Sequence, residues 1–165
     1  MDISVSEIIG KYFDDSSLSN GETPKLILIA GGPGAGKTTQ RKLNYSKGYV
    51  LLDAGDIFKA ICKGDDLNYE FGQDFIEIME IIGQLVADRA IKEKRNIVME
   101  IIGDRSDITT AIIETMGKHG YKVELACIYC DIAEAYERHL KGANEFLSSC
   151  FSEPYHIKWL LATAR

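Results

Sequence analysis

The sequence predicts an α/β fold, a three-layer α/β/α sandwich whose mainly parallel sheet has four or five strands. Three observations predict it. Short apolar runs at 25–30, 49–52, 96–99 and 123–129 alternate with longer stretches of helical periodicity. Strands separated by helices join most readily in parallel, because a parallel pair needs a long crossover that a helix supplies. A glycine-rich run follows the first apolar strand directly, at the carboxyl edge where open parallel sheets place their ligands.

In chain order, Val5, Ile8, Ile9, Tyr12 and Phe13 recur at helical spacing and predict a short amphipathic helix. Residues 14–23, rich in Ser, Asp, Asn and Gly, read as a linker, so 1–23 form an N-terminal helix and linker. Strand one at 25–30 runs into Gly31-Gly32-Pro33-Gly34-Ala35-Gly36-Lys37-Thr38, and the helix beginning at Thr38 stops near Gly48. Strand two at 49–52 is closed by Asp53-Ala54-Gly55-Asp56, with helix resuming at Ile57 and a loop at 63–68. From 73 to 94, Phe75, Ile78, Met79, Ile82, Leu85, Val86 and Ala90 keep one apolar face. Strand three at 96–99 ends on Glu100.

A helix at 107–119 turns Ile108, Ala111, Ile112 and Met116 inward, Gly120 ends it, and strand four follows at 123–129. Residues 133–141 are helical again. Periodicity fades from 142 to 152, and 139–153 read as a candidate lid. Pro154 suits the first turn of a last helix carrying Ile157, Trp159, Leu160 and Leu161. One domain, 1–165, accommodates all of this.

Composition narrows the function. With 165 residues, 45% apolar and 27% charged, the chain can bury a core without disulfides or structural metal. A net charge of −6 argues against nucleic-acid or anionic-membrane partners. No apolar run approaches the roughly 18 residues of a membrane span, and Met1-Asp2-Ile3-Ser4 lacks the basic start of a secretory signal, so a reducing, cytoplasmic setting is expected. Cys127-Ile128-Tyr129-Cys130 has the C-x-x-C spacing but no second pair, and reads as small residues filling a core.

The glycine-rich run is a P-loop. A phosphate chain packs several charges into a small volume, so its holder needs many donors that approach without side chains in the way. Backbone N–H groups of Gly32, Gly34, Ala35 and Gly36 meet that need, and the helix that follows adds its dipole. In this motif Lys37 bridges the β- and γ-phosphates, the Thr38 hydroxyl coordinates Mg²⁺, and Thr39 lies near the α-phosphate. No Asn-Lys-x-Asp stretch for reading guanine is present, which argues against a GTPase.

A kinase needs a second site for the acceptor, and strand ends should line it. Asp56 is placed either to take or orient an acceptor hydroxyl proton, or to cap the helix at Ile57. Asp53 is the competing candidate, as a turn former or a contact near Mg²⁺. Glu100 ends its strand as a Walker B carboxylate does, and either touches metal-bound water, bonds the acceptor or is simply solvated. Arg138 is positioned to neutralise charge on the transferred group or to be a solvated helix arginine; Arg105 is an alternative phosphate or acceptor ligand.

With these residues assembled, the chain resembles small P-loop kinases of the zeta-toxin group from about residue 25 to 138. The resemblance rests on 31–39, the Asp56-Ile57-Phe58-Lys59 helix start, Asn96-Ile97-Val98-Met99-Glu100 and Gly120-Tyr121-Lys122-Val123-Glu124-Leu125. It implies a P-loop NTPase fold like that of nucleoside-monophosphate kinases, ATP and Mg²⁺ as cofactors, and phosphorylation of a sugar nucleotide such as UDP-N-acetylglucosamine. It also implies Asp56 as the base, Glu100 as a sugar-nucleotide ligand, and an antitoxin-like protein partner. Ile101-Ile102 replace the glycine and threonine usual after that glutamate, and no arginine-rich lid follows Arg138.

Adenylate kinases are the second resemblance, through the P-loop and 52–60, although Ala54 and Lys59 stand where threonine and arginine are expected. A nucleotide-binding regulatory module with weak catalysis is the reading from a different class.

Overall fold

A computed structural model describes residues 4–16, 21–62 and 73–143. Residues 17–20, the predicted loop at 63–68, the candidate lid beyond 143 and the predicted helix from Pro154 lie outside the described residues. The elements run α1 (Val5–Asp14), β1 (Lys25–Ala30), α2 (Lys37–Asn44), β2 (Val50–Leu51), α3 (Ala54–Cys62), α4 (Gln73–Lys92), β3 (Ile97–Ile101), α5 (Ser106–Lys118), β4 (Lys122–Cys127) and α6 (Ile132–Ala143). Among the described residues all strand pairs are parallel, in the order β2-β3-β1-β4. Helix α6 continues to Ala143, so the opening residues of the candidate lid are helical.

Central position explains the apolar run of β1. It pairs with β3 on one side and β4 on the other, and Leu26 to Ala30 are buried on both faces. Leu26, Leu28 and Ala30 join Leu52, Met99 and Ile101 in a core shared with Ile57 of α3, Met79, Ile82 and Val86 of α4, and Ile112 and Met116 of α5. Each fully buried Leu or Ile there contributes about 1.5–3 kcal/mol. Ile27, Ile29 and Val98 face the other way, under Tyr45, Tyr49, Leu51 and Ile128.

Strand β4 is different. Among the described residues it pairs only with β1, and Leu125 is 50% exposed. Cys127 is likewise exposed and Cys130 half-buried, so neither is the core filler that its apolar surroundings in sequence suggest. Cys127 ends β4, a strand with one neighbour among the described residues, and Cys130 lies just beyond it; local hydrophobicity cannot distinguish such a strand from a central one.

Helix α1 is fastened at its carboxyl end. The Phe13 ring is buried beneath the Arg89 guanidinium, 4.1 Å from the ring centre, with Arg95 at 5.8 Å. Arg95 Nη1 donates to the Ser16 carbonyl at 2.8 Å, and the Gly48 N–H donates to the Asp15 carbonyl at 2.7 Å. Among the described residues, no helix is long and apolar enough to cross a membrane.

Candidate active site

The P-loop leaves β1 beneath the carboxyl ends of β3 and β4. Its geometry depends on glycine at two points. Gly34 has φ +74°, and a β-carbon there would lie 2.0 Å from the Ala135 carbonyl oxygen of α6. Gly36, at the N-cap of α2, has φ +103° and brings no side chain to the first-turn N–H groups. A helix start with no side-chain cap is the arrangement that suits a phosphate chain. Lys37 turns back over the loop, its ammonium donating to the carbonyls of Gly31 at 2.6 Å and Gly32 at 3.1 Å.

Glu100 lies within β3, in register with Ile29 of β1, and its carboxylate meets the P-loop helix. The Thr38 hydroxyl donates to Oε2 at 2.9 Å, and Arg41 Nε donates to Oε1 at 2.7 Å. Both charged side chains are largely buried, Arg41 at 16% and Glu100 at 12% exposure, so the pair is shielded from salt better than a surface bridge. Arg41 was not singled out from the sequence. Its spacing carried the signal, since positions three and four after Thr38 and Lys37 share their helix face.

On the β2 side, α3 starts at Ala54, earlier than the predicted start at Ile57. Asp53 is therefore the cap. Its Oδ1 accepts the Asp56 N–H at 2.8 Å, and its carbonyl accepts the Ile57 N–H. Capping by Asp56 is corrected by this geometry, and its carboxylate in the first turn is released for other work. It receives the Tyr12 hydroxyl on Oδ2 at 3.0 Å. Burial, then the neighbouring Asp56 carboxylate, push the Tyr12 phenol far above its ordinary value, so it remains a donor.

The two candidate arginines are not drawn to the P-loop. Arg105 forks onto its neighbour Asp107, at 3.0 Å and 2.7 Å, with both side chains mostly exposed. Arg138 pairs with Glu134 and points a second N–H at Cys130 Sγ, 3.6 Å away. A cavity of about 630 Å³ opens beside the loop, lined by Gly31, Gly32, Ile102, Cys130, Ala135 and Tyr136 among others. Thus the structure brings together Lys37, Thr38 and Glu100, sets Asp53 and Asp56 beyond β3, and leaves Arg105 and Arg138 in local pairs.

Sheet order and loop together define the class, a P-loop α/β domain of the kinase type. Comparison with known proteins narrows it: the zeta toxin family model matches residues 10–145, and the chain belongs to that family. It is also 33% identical over 87 residues to UMP-CMP kinase 3 of Arabidopsis thaliana, a stretch covering 50% of this chain and 43% of that protein. Among solved structures it is similar to a chain of the PezAT toxin–antitoxin system of Streptococcus pneumoniae, with TM-score 0.64, 20% identity, and 86% and 61% of the two chains covered. A chain of the Pnkp1/Rnl/Hen1 RNA repair complex superposes with TM-score 0.57 at 16% identity, covering 90% of this chain and 47% of that one. At such identities the structural likeness establishes the fold. This chain spans less than half the length of the curated relative and about three fifths of the PezAT chain.

Proposed function

We propose that the protein transfers the γ-phosphoryl group of Mg²⁺-ATP to a small acceptor, a sugar nucleotide such as UDP-N-acetylglucosamine. The observation that carries this reading is the Thr38 hydroxyl held against Glu100 at the mouth of an uncapped helix. This donor set fits a metal-bound nucleotide: backbone N–H groups and an ammonium for phosphate, with a hydroxyl and a carboxylate for the cation's coordination and outer shell.

Bound Mg²⁺-ATP supplies the phosphoryl group and neutralises charge as it transfers. Glycine N–H groups from Gly32 to Gly36 hold the phosphates, and Thr39 lies beside the α-phosphate. Lys37 leaves the loop carbonyls for the β- and γ-phosphate oxygens. Thr38 is the metal ligand, and Glu100 orients its hydroxyl. Asp56 takes or orients the acceptor hydroxyl proton, a contribution of about 10²–10⁴-fold. Asp53 fixes the turn presenting it, while Arg138 or Arg105 must leave its local carboxylate to reach the transferred group or the acceptor.

A nucleoside monophosphate is the second reading, favoured by the likeness to a UMP-CMP kinase. The likeness to PezAT supports an antitoxin-like partner.

The deciding experiment is ADP release from Mg²⁺-ATP over UDP-N-acetylglucosamine, AMP, UMP, CMP and simple sugars, with Lys37→Ala as background. Stimulation by the sugar nucleotide, lost in Asp56→Asn while ATP binding persists, is the expected result. Stimulation by a monophosphate moves the acceptor class. Tight ATP binding with no stimulation overturns the kinase reading in favour of a regulatory module.

A further inference from the structure

We infer that Tyr12, on the N-terminal helix, is a positioning residue that holds the Asp56 carboxylate in its transfer-competent orientation. This rests on the reading of Asp56 as the group that handles the acceptor hydroxyl. The two residues are 44 positions apart, and the contact joins α1 to the first turn of α3. It completes a division of labour: Asp53 holds the backbone of Asp56, and Tyr12 holds its side chain.

Only one carboxylate oxygen is used in this way. Tyr12 occupies Oδ2, and Oδ1 has no partner among the described residues. The phenol has a single proton to donate, and its burial near Asp56 and Asp53 keeps that proton in place. Oδ1 is thus the oxygen presented to an incoming hydroxyl. An aspartate alone in a first turn would sample several rotamers, dividing its time between useful and useless orientations.

The holder is itself held. Phe13, next in sequence, is buried beneath Arg89, and the carbonyls of Asp15 and Ser16 are tied to Gly48 and Arg95. A residue on a loosely docked helix could not fix a carboxylate to within the fraction of an ångström that transfer requires. Here α1 lies outside the P-loop strand and helix, yet it reaches the side chain on which transfer depends.

The test is a double-mutant cycle of Tyr12→Phe and Asp56→Asn, measured by steady-state ADP formation with the acceptor that gives the highest turnover in the panel above. Tyr12→Phe keeps the ring and should lower kcat roughly 5- to 50-fold, leaving KM for ATP within about twofold. In the Asp56→Asn background the same change should alter the rate less than about twofold, because there is no carboxylate left to orient. An unchanged kcat in Tyr12→Phe, an equal loss in both backgrounds, or a loss confined to KM with a lowered melting temperature overturns the inference. If Asp56→Asn is inactive and Tyr12→Phe is normal, only the positioning role falls. If Asp56→Asn retains full turnover, or no acceptor is found, the reading of Asp56 falls and the role of Tyr12 with it.

Discussion

The Thr38 hydroxyl donates to Glu100 Oε2 at 2.9 Å across 62 residues of chain, joining the P-loop to the neighbouring strand. Arg41 closes the other carboxylate oxygen. If Thr38 ligates Mg²⁺ as proposed, Glu100 acts on the metal from its outer shell, where substitutions commonly cost about 10–100-fold in metal affinity. Glu100→Gln should therefore raise the Mg²⁺ concentration for half-maximal ADP release at least about tenfold, with a modest effect on acceptor KM. Unchanged Mg²⁺ dependence together with weakened acceptor binding would instead assign Glu100 to the acceptor.

Close contact between the loop tip and α6 sets a second expectation. At Gly34 a methyl group meets the Ala135 carbonyl oxygen at 2.0 Å, and the backbone has positive φ. Gly34→Ala must move α6 or distort the loop, at a cost of about 1–3 kcal/mol. Thermal unfolding should show a melting temperature lower by several degrees, since about 1 kcal/mol corresponds to 2–4 °C in a chain of this size. Gly32→Ala has open space around it and should melt near wild type. Equal melting of both variants would remove the significance of the contact.

Much of the arrangement of this candidate site is legible in the sequence. The loop from Gly31 to Thr38 announces itself by fixed spacing between an apolar strand and a helix, and alternation of strand and helix put Glu100 at the same edge. Register did the rest: with β3 beside β1, Glu100 had to lie near the P-loop helix. The cap falls to Asp53 and not to Asp56 because α3 begins three residues before the predicted start at Ile57, and helix boundaries are weakly encoded where Ala and Gly intervene. In the sequence Tyr12 is only one of the positions at the helical spacing of α1. Its hydroxyl contact depends on how two distant helices dock, which periodicity does not specify. The exposure of Cys127 escapes the sequence for a related reason, as outer and central strands share a local pattern.

The cap observed at Asp53 and the role proposed for Asp56 can be separated experimentally. Asp53→Ala removes the side-chain oxygen that accepts the Asp56 N–H and should cost about 0.5–2 kcal/mol in urea unfolding. Asp53→Asn keeps an acceptor and should recover most of that loss. Asp56→Asn should instead leave stability nearly unchanged while cutting transfer. Equal destabilisation by Asp53→Ala and Asp53→Asn would mean that the charge, and not the cap, is what α3 needs.

Two tyrosines predict how stability responds to alkali. Burial raises the Tyr121 phenol above its ordinary range, and its hydroxyl donates to the carbonyls of Ala90 and Arg95 at 3.1 Å and 2.8 Å. Tyr12 is raised by burial and by Asp56. In the unfolded chain both phenols ionise near pH 10, whereas in the folded chain they stay protonated well above it. Above about pH 10 the folded state therefore binds more protons than the unfolded state, and its stability falls as pH rises, by up to about 1.4 kcal/mol per pH unit for each group. Below pH 10 both groups are protonated in both states and their contribution is constant. Urea unfolding at pH 9 and pH 11 should show this loss in the wild type. Tyr12→Phe and Tyr121→Phe should each be less sensitive to the same change, even though each starts from a lower stability at pH 9. A variant whose loss between the two pH values equals that of the wild type would show that its phenol ionises alike in the folded and unfolded chains.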